Sequence, residues 1–342
     1  MNAFVSSLEE QIKSRSFEAE LILVDWNPPD DRPGLAEAIK WPSGSSPLTM
    51  KVIVVPPSIH RRCEYSDSLP FFQMIAKNVG IRRARAPLVV ATNIDILFNN
   101  EMANFLRDLS PSPGAYYRVD RYDVGSELPE GSTEDRLRYC SENVIRICGR
   151  DDTRFLGSTD VEKIYSSAVI PLTINRVVQA VVPKGVRESL PLAVRHAWRR
   201  NLRMGLRPRL HTNACGDFTM LHRDDWIRLR GYPELEMFSI HLDSLLLYVA
   251  HYAGIAETVV EDPARIYHIE HDQGWVSVKD PVPRSSAEPG GSGSPEGKAP
   301  ALTFEDVRDW VLEMKRAGAP KIVNDLSWGL DEEHLEEIVI KE

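Results

Sequence analysis

Short apolar runs alternate with amphipathic stretches through the first hundred residues of the chain. Residues 20–26, 51–57 and 88–92 are almost continuously apolar, a pattern typical of strands that are buried on both faces in a parallel sheet. Residues 68–85 and 100–109 instead repeat their apolar positions with the helical period. This alternation of strands and helices predicts an α/β sandwich with a mainly parallel sheet.

The pattern in the rest of the chain predicts fewer regular elements. Residues 115–124 read as a strand, and 215–234 as a strand followed by a helix that stops at Gly-Tyr-Pro. A further helix is predicted at 241–254 and a capped helix at 303–318. The intervening residues mix helical pieces with proline and glycine breaks, so they give no clear prediction.

The same pattern suggests how the chain is organised into domains. We expect one large domain over residues 1–280, in which 126–210 is an irregular or helical insertion that faces an acceptor or a membrane. The Gly-, Ser- and Pro-rich composition predicts a flexible linker or loop at 281–300. Residues 301–342 then form a C-terminal helical extension.

Composition narrows the class of protein. The 342 residues are 42% hydrophobic and 27% charged, as in an ordinary globular protein. A net charge of −9 argues against a nucleic-acid partner, whose binding proteins are basic. The four cysteines have no CxxC spacing, no apolar run spans a bilayer, and the start does not resemble a signal peptide. We therefore expect a cytoplasmic protein with reduced thiols, and a disulfide between two of the cysteines is the alternative that the spacing leaves open.

One carboxylate stands out in the apolar pattern. Asn93-Ile94-Asp95 follows directly on the apolar run 88–92, and a carboxylate at the end of a buried strand is unfavourable unless it binds a partner. A divalent cation is one such partner. The alternatives are a cap for the helix that begins near Asn99 and a strand-end carboxylate satisfied by the chain itself.

A second group of metal-binding residue types lies late in the chain. His268 and His271 alternate with Glu270 and Asp272, and imidazole is a frequent ligand of divalent transition metals. In an extended strand, His268 and Glu270 share one face and His271 takes the other unless a turn intervenes. A surface histidine cluster without a ligand is the alternative.

Four segments, in order, resemble the signature segments of GT-A glycosyltransferases of the family 2 type. They are VDWNPPDD at 24–31, AKNVGIRRARAPLVVATNIDILF at 76–98, CGDFTMLHRDDWIRLRGYPE at 215–234 and HLD at 241–243. The resemblance covers roughly residues 20–275. It implies a GT-A-like three-layer sandwich with a mainly parallel sheet and helical additions. The chain departs from the family by opening on a helix in place of the usual first strand.

The resemblance also implies roles for individual residues. Asp95 matches the last acid of the family's Asp-x-Asp, and Asn93 replaces the first, so the site has lost one charge. With His268 or His271, Asp95 would hold Mn²⁺ or Mg²⁺ against the donor diphosphate. Asp243 matches the catalytic base of an inverting enzyme, although it could equally be a helix cap or a favourable first-turn charge, and Asp217 is the second candidate. The implied nucleotide-sugar contacts are Asp25, Asn27, Asn78, Arg82 and Asn93.

The expected function is transfer of a sugar from a nucleotide-sugar, by the resemblance a UDP-sugar, to a hydroxyl of a glycan or lipid-linked acceptor. We expect inversion, and a role in surface-polysaccharide or glycolipid assembly. The alternative is a non-catalytic relative that binds nucleotide-sugars or glycans. A nucleotidyltransferase would need a Gly-rich phosphate loop near the N-terminus, and the sequence has none there.

A basic segment interrupts the acidic chain between Arg195 and Arg209. Trp198, Leu202 and Leu206 lie among its arginines, so it could contact an anionic membrane surface or a lipid-diphosphate acceptor. Such contact would place the protein peripherally on the inner face of the membrane. A solvated basic helix face is the alternative. The six cations are Arg195, Arg199, Arg200, Arg203, Arg207 and Arg209.

Overall fold

The computed structural model describes residues 1–157, 161–163, 207–271 and 299–341. Most of the predicted linker and most of the basic segment lie outside the described residues, as does Asp272. Arg207 and Arg209 are the two cations of that segment that the structure describes.

The described residues contain helices and strands throughout. The helices are α1 (Asn2–Arg15), α2 (Leu35–Ala38), α3 (Pro57–His60), α4 (Gln73–Arg83), α5 (Asn100–Asp108), α6 (Thr133–Glu142), α7 (Arg223–Leu229), α8 (Leu242–Tyr252) and α9 (Phe304–Ala317). The strands are β1 (Ala19–Trp26), β2 (Leu48–Val55), β3 (Leu88–Thr92), β4 (Ile96–Phe98), β5 (Ala115–Val119), β6 (Arg121–Val124), β7 (Val144–Cys148), β8 (Asp152–Phe155), β9 (Val161–Lys163), β10 (Phe218–His222), β11 (Ala256–Val260), β12 (Ile266–Ile269) and β13 (Glu336–Lys341).

These strands form three separate sheets. In the first, β1 and β2 pair in parallel, and β13 from the C-terminus pairs antiparallel to β2. The second has the order β11-β5-β10-β3, with β10 antiparallel to both of its neighbours. The third has the order β4-β12-β6-β7-β8-β9, in which β12 and β6 are the parallel pair.

The predicted GT-A-like three-layer sandwich with a mainly parallel sheet is therefore wrong. The described strands form small mixed sheets in which most neighbours are antiparallel. The error has a physical cause: a continuous apolar run shows that both faces of a strand are covered, and this is true of buried antiparallel strands as well. Leu88–Thr92 is such a run, and it pairs antiparallel with a strand far along the chain, Phe218–His222.

The largest hydrophobic core surrounds α8. Residues 244–250 of this helix are all buried, as expected for a segment that packs on all sides, and Leu245 and Leu247 are completely inaccessible. Trp226 of α7 and Val311 of α9 belong to the same core cluster. The core thus fixes the position of the first turn of α8, which carries Asp243.

One of the connections between the second and third sheets is a short turn. β3 belongs to the second sheet and β4 to the third, and Asn93–Asp95 form the connection between them. β12 lies beside β4 and so brings the late histidines to this turn. No helix among the described residues is long and apolar enough to cross a membrane.

Candidate active site

Asp95 is held in the turn between two sheets. Its carbonyl accepts a hydrogen bond from the backbone N–H of Ile269 at 2.9 Å, which fastens the turn to the end of β12. The helix that follows is capped by Asn99, whose Oδ1 accepts from Met102 N at 2.8 Å. The helix-cap alternative for Asp95 is therefore wrong, and its carboxylate is available for other partners.

Both candidate histidines face this carboxylate. His271 Nε2 lies 3.1 Å from Asp95 Oδ2, and His268 Nε2 lies 3.5 Å from the same oxygen. The side chain of His268 is 9% exposed, that of Asp95 23% and that of His271 52%. One atom of each residue lies within 4.8 Å of the corresponding atoms of the others, a geometry in which the three could hold a metal ion.

The chemistry of this group fits a divalent cation. Two imidazoles and one carboxylate form a donor set suited to first-row transition metals. Asp95 Oδ1 is buried and has no hydrogen-bond partner in the described part of the chain, so an acceptor atom remains for an ion. Burial alone would raise the pKa of Asp95, but the hydrogen bond and charge of His268, with the charge of His271, bring it below its usual value.

His268 has a second carboxylate on the opposite side of its ring. Its Nδ1 lies 3.3 Å from Oδ1 of Asp123, a side chain that is completely buried. Burial alone would lower the pKa of His268, but Asp123 and Asp95 raise it to about 9. The Asp123 carboxylate also pairs with Arg121, at 2.7 Å, and with Arg146.

A second possible metal group contains Asp123, His268 and Glu270. Arg146 pairs with both carboxylates of this group, and its Nη2 lies 2.5 Å from Glu270 Oε1. Two guanidinium groups therefore already neutralise these acids. We interpret the group as a buried ion-pair network beside the metal site rather than as a second site.

Asp217 lies next to Asn93 because β10 and β3 pair with Phe218 opposite Thr92. Asn93 Nδ2 donates to Asp217 Oδ1 at 2.6 Å, and Arg121 donates to Oδ2. Thr92 Oγ1 donates to the Asp217 carbonyl at 2.7 Å. Each oxygen of Asp217 thus accepts a hydrogen bond from the protein, which favours a positioning role over proton transfer.

Asp243 lies in the first turn of α8 and faces a glycine. Its Oδ1 accepts from the backbone N–H of Ser244 at 2.7 Å, whereas a Cβ added at Gly216 would lie 3.0 Å from its Oδ2. His241, the N-cap residue, has a left-handed backbone and makes no side-chain cap hydrogen bond. The second carboxylate oxygen of Asp243, Oδ2, therefore faces the loop that carries Asp217.

Lys77 is a site residue that the sequence analysis missed. This α4 side chain donates through Nζ to the carbonyl of Gly216. Burial lowers its pKa, while the charges of Asp217, Asp243 and Asp95 act in the opposite direction. The ammonium is therefore within electrostatic range of all three carboxylates. A lysine inside a helix gives no sequence signal that separates it from a solvated one.

Arg121 and Asp123 were also missed. They alternate on β6, so they share one face of the strand, and a pair of opposite charges on the inward face of a short strand was the available signal. The apolar pattern of residues 115–124 predicts a strand and gives these two charges no role.

The residues predicted to contact the nucleotide-sugar do not form one cluster, in contrast to the residues around Asp95. Asp25 Oδ2 accepts from the backbone N–H of Leu35 at 2.7 Å, and Asn27 donates to the Pro70 carbonyl at 3.2 Å; both lie at the end of β1. Asn93 belongs to the Asp95 turn, and its Oδ1 accepts from Gln73 Nε2 at 3.3 Å.

Asn78 and Arg82 contact other parts of the chain itself. Asn78 is fully buried, and its amide bonds with the backbone of Tyr232 and with Glu234. Arg82 forms two hydrogen bonds with Asp331, at 2.9 and 2.7 Å, and lies over the ring of Trp328. The structure thus brings together Asn93, Asp95, Asp217, Asp243, His268 and His271, and it gives Asn78 and Arg82 contacts with other segments.

A comparison with protein-family models found no match to this chain, and a search of curated proteins found no significant relative. The functional interpretation therefore depends on the geometry of the side chains.

Proposed function

We propose that the chain is a nucleotide-sugar-dependent glycosyltransferase with a divalent-cation site at Asp95, His268 and His271. The observation that carries this proposal is the convergence of the Asn93–Asp95 turn with both late histidines, beside Asp217 and Asp243. The function requires this arrangement of side chains and does not require one mainly parallel sheet.

The site has groups that would help a nucleoside diphosphate to leave the donor sugar. A cation bound at Asp95 would neutralise the diphosphate and stabilise the negative charge that develops on the leaving oxygen. Asp95 and the two histidines would hold the cation at the open side of the turn, since His271 is half exposed. Asn93 fixes Asp217 beside this position, where the Asp217 loop would orient the donor sugar.

Asp243 is the group best placed to act as the base. It would accept the proton of the acceptor hydroxyl as that oxygen forms a bond to the anomeric carbon. The bond from the anomeric carbon to the diphosphate oxygen breaks in the same step, and its electron pair leaves with the diphosphate. This single displacement inverts the anomeric configuration. Asp217 is less suited to proton transfer because its oxygens already accept hydrogen bonds.

The donor nucleotide would extend from the Asp95 turn toward the end of β1. Asp25 and Asn27 lie there, and Gln73 at the start of α4 donates a hydrogen bond to Asn93 in the Asp95 turn. Asn78 and Arg82 would contribute mainly by holding α4 against the later segments that they bond. A glycan or a lipid-linked sugar remains the proposed acceptor class, and membrane contact through Arg195–Arg209 remains a proposal about residues mostly outside the described part.

The decisive experiment measures release of nucleoside diphosphate from a panel of UDP-, GDP- and dTDP-sugars, with Mn²⁺ or with EDTA. We expect metal-dependent release from one donor class, which Asp95→Asn abolishes while the circular dichroism spectrum is unchanged. Asp309→Asn, a change at an exposed acid on α9, is the matched control. Binding of a nucleotide-sugar without release or transfer to any glycan would support the non-catalytic alternative, and absence of both would overturn the proposal.

A further inference from the structure

His268 lies between two carboxylates, one at each nitrogen of its ring. Nε2 faces Asp95 Oδ2 at 3.5 Å and Nδ1 faces Asp123 Oδ1 at 3.3 Å. The pairing of two neighbouring strands sets this arrangement, because His268 of β12 and Asp123 of β6 are directly opposed in the parallel register. A shift of one residue would turn either side chain to the other face of its strand.

We propose that Asp123 is a positioning residue that orients His268 for metal binding. It favours the proton on Nδ1, so that a cation at Asp95 displaces the proton on Nε2 to solvent and binds the lone pair of that nitrogen. This inference rests on the metal site in the proposed function. It adds a residue that would not touch the metal yet would set the affinity of the site for transition metals.

The hydrogen-bond partners of an imidazole ring decide which of its nitrogens can bind a metal. A neutral histidine carries one N–H and one lone pair, and the partner of one nitrogen decides which form is present. His268 Nδ1 and Asp123 Oδ1 lie 3.3 Å apart without a hydrogen bond of standard geometry. A carboxylate can only accept hydrogen bonds and is negatively charged, so Asp123 favours the form with the proton on Nδ1. Metal-bound histidines commonly donate their other N–H to a carboxylate in this way, which fixes the ring and increases the basicity of the ligand.

The surroundings of Asp123 make it a fixed acceptor. Its side chain is completely buried, and Arg121 and Arg146 pair with it from two sides. Such a carboxylate cannot rotate toward solvent without breaking its ion pairs with both guanidinium groups in a buried environment. The orientation of His268 is therefore built into β6 and β12 before a cation arrives.

Glu270 provides a matched control within the same network. Like Asp123, it is a buried carboxylate that pairs with Arg146, but the carboxylate that lies against His268 Nδ1 is that of Asp123. If Asp123 served only to compensate the positive charge of the arginines, Glu270→Gln and Asp123→Asn would have similar effects on metal binding. If it positions His268, only Asp123→Asn should weaken the metal site strongly.

The first test measures binding of Mn²⁺ and Mg²⁺ alone by calorimetry. We expect Asp123→Asn to weaken Mn²⁺ about 10–100-fold, the usual effect of losing an outer partner of a metal ligand. Mg²⁺ prefers oxygen ligands and water, so its affinity should change much less, and Glu270→Gln should leave both affinities near the wild-type values. In the Mn²⁺-loaded protein, pulsed EPR should detect two coordinated imidazole nitrogens in the wild type and a weakened or lost coupling in Asp123→Asn.

A second measurement uses the wild-type chain, because Asp123→Asn leaves two buried arginines less compensated and could fail to fold. In the Zn²⁺-loaded protein, ¹⁵N NMR should show His268 coordinated through Nε2 and protonated at Nδ1. Coordination through Nδ1, or equal losses of Mn²⁺ affinity in Asp123→Asn and Glu270→Gln, would overturn the inference. A wild type that binds Mn²⁺ as expected but transfers no sugar would overturn the proposed function alone. A wild type that binds no metal would overturn both the metal site and the role of Asp123.

Discussion

The carboxylate of Asp243 lies so close to Gly216 that a Cβ added to the glycine would be 3.0 Å from Oδ2. Lys77 holds the same glycine from its carbonyl side. Gly216 is thus the contact between the Asp217 loop and the first turn of α8, and its missing side chain lets the candidate base approach the loop.

Gly216→Ala should therefore act on catalysis through Asp243. The added methyl group must displace either the carboxylate or the loop by a few tenths of an ångström, and misplaced catalytic groups lower the rate steeply. We expect kcat to fall by about tenfold or more while the KM for the donor changes little. Gly80→Ala in α4 is the control, since its Cβ would make only ordinary contacts of 3.5 Å or longer. If the two variants have the same kcat and KM, Asp243 does not take part in catalysis.

Asp243→Asn tests proton transfer directly. Asparagine preserves the shape of the side chain but cannot accept the proton of the acceptor hydroxyl, so kcat should fall by about 10²–10⁴. Binding of UDP or another nucleoside diphosphate, measured by calorimetry, should be little changed. The anomeric configuration of the product gives an independent check by NMR: a retained configuration would be incompatible with Asp243 as the base of a single displacement.

The two histidines should contribute unequally to the metal site. His268 is almost buried and lies between two carboxylates, whereas His271 is half exposed. Losing even an outer partner of a metal ligand weakens binding by about 10–100-fold, so His268→Ala should weaken Mn²⁺ at least that much. His271→Ala should have the smaller effect. Equal, small effects in titrations with Mn²⁺ would remove both histidines from the metal site.

The sequence predicted local elements well where the apolar period was clear. The helix expected at 68–85 is α4 (Gln73–Arg83), and the one expected at 100–109 is α5 (Asn100–Asp108). The sheets were predicted wrongly because apolar runs report burial and contain no information about partners. β13 shows this limit most clearly: it completes the first sheet by pairing with β2 from the far end of the chain.

The residues of the candidate site were also predictable only in part. Asp95, Asp217, Asp243 and His271 are polar groups at or beside the ends of elements, where sequence patterns point to chemistry, and His268 was found through its spacing from His271. Lys77 and Asp123 lie inside a helix and a strand. Their importance arises from contacts with Gly216 and His268, which are distant in sequence, and only the tertiary pairing of strands reveals such contacts.

His268 should also make the stability of the metal-free protein depend on pH. Its pKa is about 9 in the folded protein, against an ordinary value near 6.5 in the unfolded chain. The folded state therefore binds the proton more tightly. The resulting stabilisation is complete below about pH 6.5 and is lost as the pH rises through about 9, and it amounts to at most about 3 kcal/mol.

Urea unfolding in EDTA at pH 6, 7.5 and 9 measures this effect. The stability difference between the wild type and His268→Gln should shrink steadily across the range, since glutamine does not titrate. A difference that stays constant from pH 6 to 9 would show that the pKa of His268 is not raised between Asp95 and Asp123.

Two roles are possible for Arg82: it could bind the donor nucleotide, or it could stabilise the fold through Asp331. The sequence resemblance predicts that its guanidinium binds the donor, whereas in the structure it bonds Asp331 and lies over Trp328. If the contact with Asp331 is its main role, Arg82→Ala and Asp331→Asn should each lower stability by a similar amount, on the order of 1 kcal/mol or less. The double variant should then be no less stable than the less stable of the two single variants, because each change removes the same interaction.

The affinity for nucleoside diphosphate tests the other role of Arg82, and it should be nearly the same in all three variants. A loss of affinity in Arg82→Ala that Asp331→Asn does not reproduce would instead place Arg82 in the donor site, because only the arginine could contact the ligand directly.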